Sequence, residues 1–296
     1  MKYFMGEGKK RSYFEGWYLK HRKDEFTLSL IPGVSVDREG VRHAFLQVIT
    51  KDFSRFVPFP ADCFSARKDR LEVRLGCQSF SESGVKLNLA RPGLSLRADI
   101  RYGALSPLRR DVMGPLRFLP FLECSHGIIS RAHGLSGYVT LNGEHYDLTG
   151  GTGYIEKDLG RSFPKNYVWT QCSGFPGRDT CITAAAADVP FGGISLPGCF
   201  CSVYDSGREY RLATYTGARA DIRQSDCLLL SQGKCRFRAE LLRGGKQPLL
   251  APAGGNMTRI VCESAVCTVR YRFSVGGGAG FDLTADFASF ESAFQP

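Results

Sequence analysis

Short runs of alternating apolar and polar residues recur along most of this chain. Residues 71–75 (Leu-Glu-Val-Arg-Leu) and 85–89 (Val-Lys-Leu-Asn-Leu) alternate strictly, and 94–100 continues the pattern. A period of two puts every second side chain on one face, as in half-buried strands. Residues 26–31 and, in part, 44–49 read the same way. Gly84, Pro92 and Gly93 punctuate the runs. A spacing of roughly ten residues per strand fits an antiparallel barrel or sandwich.

Residues 101–122 break this rhythm. Pro107, Gly114 and Pro115 interrupt an apolar and basic stretch, which reads as an irregular connection with a short helix that ends the first half. Alternation resumes over 137–148 as a hairpin, with Asn142-Gly143 as its type I′ turn. Further strands are expected over 169–172, 181–187, 200–204, 210–214, 226–231, 235–242, 259–261, 265–273 and 281–287. No segment with a 3.6-residue period is long enough for a helix, although the four alanines at 184–187 invite one on propensity. The expected fold class is therefore all-β, in two halves that echo each other.

Composition narrows the class further. A chain of 296 residues holds one large domain or two ordinary ones, and 43% hydrophobic residues suffice for a core. No apolar run is long enough for a membrane-spanning helix, and the N-terminus lacks the apolar stretch of a signal peptide. A cytoplasmic protein is expected. The eleven cysteines are irregularly spaced with no Cys-x-x-Cys pair, so they read as small buried residues rather than a disulfide framework. The net charge is +10, from 39 Lys and Arg against 29 Asp and Glu. The basic residues are scattered apart from Lys9-Lys10-Arg11 and His21-Arg22-Lys23, and no nucleic-acid module is present. No nucleic-acid partner is expected. A positive surface would suit peripheral contact with an anionic membrane, or it is simply solvated.

Two segments carry more chemistry than folding requires. Residues 151–171 combine a Gly-x-Gly bend, the consecutive charges Glu156, Lys157 and Asp158, and the aromatics Tyr154, Phe163, Tyr167 and Trp169. Three such charges are costly to bury unless paired, yet their aromatic neighbours favour burial. A lined pocket satisfies both demands; a surface turn with an ion pair is the plainer alternative. In the second segment, 12–20, alternation puts Phe14, Gly16 and Tyr18 on one face and Glu15, Trp17 and Leu19 on the other. Between them lies Glu123-Cys124-Ser125-His126-Gly127, with His133 following. Cys124, His126 and His133 lack the fourth ligand and tight pairing of a closed zinc site, so no metal is expected. Neither a nucleophile elbow nor a phosphate loop is present, and Gly150-Gly151-Thr152-Gly153 lacks a dinucleotide-binding setting. No cofactor is implied.

These motifs together resemble the tocopherol cyclase family. The resemblance rests on Tyr13-Phe14-Glu15-Gly16-Trp17-Tyr18, on 123–127, on the run from Gly153 to Pro164, on Leu250-Ala251-Pro252 and on Gly255-Asn256-Met257-Thr258-Arg259. It extends from about residue 11 to about 275. It implies two lipocalin-like antiparallel β-barrels side by side, taken here as 1–133 and 134–296, with a cavity for a prenylated, water-insoluble ligand. One departure stands out: Leu159 occupies a position where the family pattern has Trp. The implied chemistry is protonation of a prenyl-chain alkene, followed by ring closure by a phenol hydroxyl (chromanol formation). Capture of water instead would make a hydratase, as in carotenoid hydratases, whose fold looks related. An acid in an apolar pocket stays protonated at neutral pH, and aromatic faces stabilise the cation that forms.

On this reading Glu156 or Asp158 donates the proton. Lys157 would neutralise its neighbour or hold a phenolic oxygen. Trp17, Tyr154 and Trp169 would line the cation's path, and Tyr18 and Gln171 would orient the head group. Glu15, Glu123 and His126 are further candidates for moving the proton. A non-catalytic carrier of a hydrophobic lipid is the alternative, since paired barrels make cavities without chemistry.

Overall fold

Alternation is realised as strands throughout. The structure is a computed structural model and describes residues 3–119, 122–191, 194–222, 224–245, 247–276 and 278–294. The first sheet contains β1 (Tyr13–Lys23), β2 (Phe26–Val36), β3 (Arg42–Ile49), β4 (Ser54–Phe59), β5 (Phe64–Ala66) and β6 (Glu72–Leu75). It continues with β7 (Gln78–Ser81), β8 (Gly84–Arg91), β9 (Leu94–Tyr102), β10 (Cys124–Leu141), β11 (Glu144–Asp147) and β12 (Thr152–Gly160). The second begins with β13 (Tyr167–Ser173), β14 (Thr180–Phe191), β15 (Ile194–Asp205), β16 (Arg208–Ala213) and β17 (Arg219–Asp221). It is completed by β18 (Cys227–Gln232), β19 (Cys235–Gly244), β20 (Gln247–Ala253), β21 (Asn256–Val275) and β22 (Ala279–Ala293). Among the described residues the only helical elements are the 3₁₀ turns Ala61–Cys63, Gly114–Phe118 and Thr214–Thr216.

The topology closes each sheet on itself. The first runs β4-β3-β2-β1-β12-β10-β9-β8-β7-β6-β5, with β11 branching from β10. Its two edge strands, β4 and β5, are consecutive in the chain and joined by the turn at Ala61–Cys63. The ends of the sheet must therefore meet, which makes a barrel. The second runs β16-β15-β14-β13-β22-β21-β19-β18-β17, with β20 branching from β21. Its edges β16 and β17 are likewise consecutive, joined at Thr214–Thr216. Each barrel encloses its own core. Trp17, Leu19, Leu30, Phe80 and Ile155 belong to the first, and Val168, Ile182, Phe237, Tyr271 and Phe290 to the second.

Several expectations are corrected by this topology. The irregular segment after β9 does not end the first barrel, because β10 to β12 return to its sheet. The division expected at 133/134 falls inside the continuous strand β10; the chain passes from one sheet to the other between Gly160 and Tyr167. By contrast, the strand expected over 181–187 is realised in β14, where pairing of the four alanines 184–187 with both β13 and β15 overrides helix propensity. Pro120 and Phe121 of the irregular stretch lie outside the described residues.

The link between the barrels is clamped. The Arg259 guanidinium donates to the carbonyls of Phe163, Pro164 and Lys165, at 3.3, 2.7 and 2.6 Å. The backbone N–H of Gly255 donates to Arg161 at 2.8 Å, and that of Phe163 to Pro252 at 3.1 Å. Gly255 has φ +88°, and a Cβ there would lie 2.1 Å from the Val36 carbonyl and 2.7 Å from the Tyr13 nitrogen. Only glycine fits where the β20–β21 turn abuts the first barrel.

Candidate functional site

Strand alternation sorts the charged segment onto two faces. In β12, Ile155 points into the first barrel's core, while Tyr154 belongs to a third apolar cluster between the barrels with Tyr18, Tyr167, Trp169 and Leu249. Glu156 and Asp158 share Tyr154's face, and Lys157 shares that of Ile155. In β1, Gly16 and Tyr18 face the space between the barrels, whereas Trp17 and Leu19 face inward.

That space is a cavity of about 390 Å³, within the range of small-molecule sites. Its wall is largely apolar and includes Phe14, Ile31, Phe163, Trp169, Phe200 and Leu249. Glu156, Asp158 and His126 enter it from the first barrel, and Glu263 and Glu291 from the second. His126, on β10 beside β12, reaches Asp158 Oδ1 through Nδ1 at 2.9 Å and Glu156 Oε2 through Nε2 at 3.3 Å. The same Oε2 accepts the Tyr154 hydroxyl at 2.5 Å, and Tyr154 in turn accepts from Thr183 at 3.3 Å. The His126 ring stacks on Phe200, centroids 5.0 Å apart.

Electrostatics divides the protons among these groups. Burial alone would push the His126 imidazolium down, but the carboxylates of Asp158 and Glu156 outweigh it and hold the ring charged. Burial raises Glu156 above the ordinary carboxyl range, against the lowering effect of His126 and Tyr154. His126 is thus favoured as the cation of the group, while burial draws Glu156 toward its protonated form. His126, Glu156 and Asp158 also bring ligand-type atoms within 4.8 Å of one another. They form a set that a divalent cation could use, although the imidazolium already balances the charge there.

The second barrel repeats the tyrosine–carboxyl pairing. Tyr18 OH donates to Glu263 Oε1 at 2.8 Å and accepts from Ser29 at 2.9 Å. Glu263 Oε2 is buried with no hydrogen-bond partner, and burial lifts this carboxyl to about 7. Tyr167 OH donates to Glu291 Oε1. Burial, then the neighbouring Glu263, raise Glu291 well above its ordinary value. Glu263 and Glu291 are cross-strand partners between β21 and β22. Both fall outside the strands expected from the sequence, which cover 259–261, 265–273 and 281–287. The available signal was a lone acid within an apolar run, Val261-Cys262-Glu263-Ser264-Ala265.

The predicted site residues therefore separate. Tyr18, His126, Tyr154, Glu156, Asp158 and Trp169 come together around the cavity. Glu15, Trp17 and Lys157 do not: they lie in the first barrel's interior. There Lys157 Nζ meets Glu15 Oε1 at 2.5 Å, both side chains fully buried. Glu15 also accepts Tyr13 OH at 2.6 Å and the N–H of Met5 at 3.0 Å, and Lys157 donates to Tyr3 O at 2.9 Å. Burial lowers Lys157, opposed by Glu15. The pair thus pins the N-terminal segment across the barrel. Gln171 lies two residues beyond Trp169, bonded to Ser173 Oγ at 3.1 Å and away from the cavity wall. Glu123 acts through its carbonyl, which accepts from Arg161 at 2.7 Å. Leu159 shares the inward face of Lys157, so the departure from the family pattern leaves the cavity wall intact. His133 is held apart from His126, beside Ser130 at 3.0 Å and against Tyr102.

Comparison with known proteins bears out the resemblance carried by the motifs. The family model described as tocopherol cyclase-like matches residues 93–217. The probable chloroplastic tocopherol cyclase of Oryza sativa subsp. japonica is 29% identical over 133 residues, 43% of this chain and 28% of that protein. The chloroplastic tocopherol cyclase of Zea mays is 33% identical over 99 residues, 33% of this chain and 21% of that protein. The matched stretch thus spans less than a third of either relative. Two solved structures share the architecture over nearly the whole chain. A candidate AttH protein of Nitrosomonas europaea aligns with TM-score 0.54 and 10% identity, covering 95% of this chain and 92% of that one. Kievitone hydratase from Nectria haematococca aligns with TM-score 0.53 and 11% identity, covering 98% and 93%. The chain is therefore similar in sequence to the tocopherol cyclase-like family through its middle, and it has the double lipocalin-like fold throughout.

Proposed function

We propose that the cavity between the barrels binds a hydrophobic prenylated quinol and closes a chromanol ring on it by acid catalysis. The observation that carries this reading is the Glu156 carboxyl group, buried against an apolar and aromatic wall that raises its proton affinity. Tyr154 donates to Oε2, and His126 Nε2 lies 3.3 Å from the same oxygen, which leaves Oε1 as the oxygen to deliver the proton. In the proposed step this proton adds to the less substituted carbon of a trisubstituted prenyl alkene. The π electrons form the new C–H bond and leave a tertiary cation. The rings of Trp169 and Tyr18, 5.7 Å apart and edge to face, stabilise that cation. The phenolic oxygen then bonds to it, and the phenol proton returns to Glu156 directly or through Asp158 and His126. The His126 imidazolium offsets the charge that appears on Glu156 when its proton leaves. The product is an isomer of the substrate, and no electrons are gained or lost overall.

The similarity to tocopherol cyclases supports this substrate class. A cytoplasmic protein collecting such a lipid would do so at a membrane surface. The test is anaerobic incubation of the purified protein with a detergent-dispersed prenylated hydroquinone in D₂O, read by mass spectrometry and NMR. A cyclised product carrying one non-exchangeable deuterium is expected. A ligand that binds and returns unchanged would make the protein a carrier, and a product heavier by one water would make it a hydratase.

A further inference from the structure

The mouth of the cavity has a surface that the chemistry does not use. Phe118 is the most exposed large apolar side chain among the described residues, at 72%, and Leu119 and Leu196 are also exposed. All three sit where the cavity reaches the surface, since Leu116, Leu119 and Leu196 belong to its wall. They come from two elements, the turn Gly114–Phe118 and the tip of the β14–β15 hairpin. The base of the turn is anchored to the second barrel. Arg211 donates to the Asp111 carbonyl at 2.8 Å, and Gly114 lies so close to the Tyr215 ring that a Cβ would come within 2.5 Å of it. Its tip, by contrast, projects.

Charge accompanies the apolar tip. Arg109, Arg110 and Arg117 are exposed on the same segment, and the Arg117 guanidinium lies 4.6 Å from the Phe118 ring centroid. Exposed aromatic and aliphatic side chains beside cations fit the boundary of an anionic bilayer, where rings enter the headgroup layer and arginines meet phosphates. A water-insoluble ligand, which is what the proposed function gives this cavity, also has to enter from a lipid phase.

We infer that Phe118, Leu119 and Leu196, with Arg109, Arg110 and Arg117, form a docking surface for an anionic lipid bilayer, which opens the cavity to ligand from the membrane. The inference rests on the proposed function for its purpose but not for its test. Co-sedimentation of the full chain with phosphatidylcholine vesicles, with and without phosphatidylglycerol, reads docking with no substrate present. Binding to the anionic vesicles that weakens with salt is expected. Arg109→Gln combined with Arg110→Gln should weaken it about fivefold per arginine. Phe118→Ser should weaken it on the order of tenfold or more. None of these three side chains lines the cavity, so turnover of detergent-dispersed substrate and thermal melting should match the parent.

Absence of binding, equal binding to neutral and anionic vesicles, or variants that bind like the parent would overturn the inference. So would a Phe118-dependent dimer in sedimentation velocity without vesicle binding, which would assign the surface to a second copy of the chain. Docking without turnover would leave this surface standing and remove the cyclase reading; turnover in detergent without docking would do the reverse.

Discussion

Lys157 sits between two acids in the most charged run of the chain, yet its structure gives it a job in folding. Replacing it with Met keeps most of its volume and removes the cation 2.5 Å from Glu15. Glu15 would keep its bonds from Tyr13 and Met5 but would be left as a fully buried carboxylate without a counter-charge. Breaking a buried pair in this way costs about 3–5 kcal/mol. At roughly 2–4 °C per kcal/mol for a larger domain, melting should fall by on the order of 10 °C. The double variant Glu15→Gln with Lys157→Met removes both charges and should recover most of the loss, since a neutral replacement of a buried pair is often close to neutral in stability. Differential scanning fluorimetry of the single and double variants reads the coupling, and turnover in detergent below the melting range reads the chemistry. A Lys157→Met protein that melts like the parent but turns nothing over would refute this reasoning and return Lys157 to the reaction.

Three further outcomes follow from the site. Glu156→Gln keeps the shape but removes the acidic proton; turnover should drop by about 10²–10⁴, the usual reach of a general acid, while ligand binding measured by fluorescence quenching persists. Glu263 titrates at about 7 in the folded chain against an ordinary value of 4.5. Its folded-state value is raised, so its stabilising contribution is complete below about pH 4.5 and is lost as pH rises through about 7. Melting temperature should therefore fall more steeply between about pH 5 and 8 in the parent than in Glu263→Gln, and parallel curves would show that Glu263 is not the titrating group. Gly255→Ala forces a side chain into a left-handed backbone and against Val36 and Tyr13; a loss of at least ~2 kcal/mol by urea unfolding is expected, and an unchanged midpoint would mean that the turn can back away from the first barrel.

The fold was largely legible because its signal is local. Alternation in 85–89 and 94–100 became β8 and β9, and Asn142-Gly143 became the β10–β11 turn. Besides β7 and β12, two kinds of strand went unseen. β5 and β17 have only three residues each, too few for a period to register, while β4 and β20 contain proline and lie at a sheet edge or on a branch. The site was legible by half. The same period of two that placed Glu15 with Trp17 also separates Lys157 from Glu156 and Asp158, but only the fold says which face is the cavity and which the barrel interior. Glu263 lies 245 residues from Tyr18 and Glu291 lies 124 from Tyr167, and nothing local in the sequence pairs them.

Each barrel is made of one uninterrupted stretch of chain, and the clamp formed by Gly255 and Arg259 belongs to the second. During synthesis the ribosome releases the first barrel complete, with Glu156, Asp158 and His126 still on its outer wall in contact with water. In that half-made molecule the apolar wall that Trp169, Phe200 and Leu249 give Glu156 is missing. The Glu156 proton affinity rises only when the later half arrives and seals the wall. Burial of this carboxyl is therefore a property of the two barrels together, not of the first barrel alone.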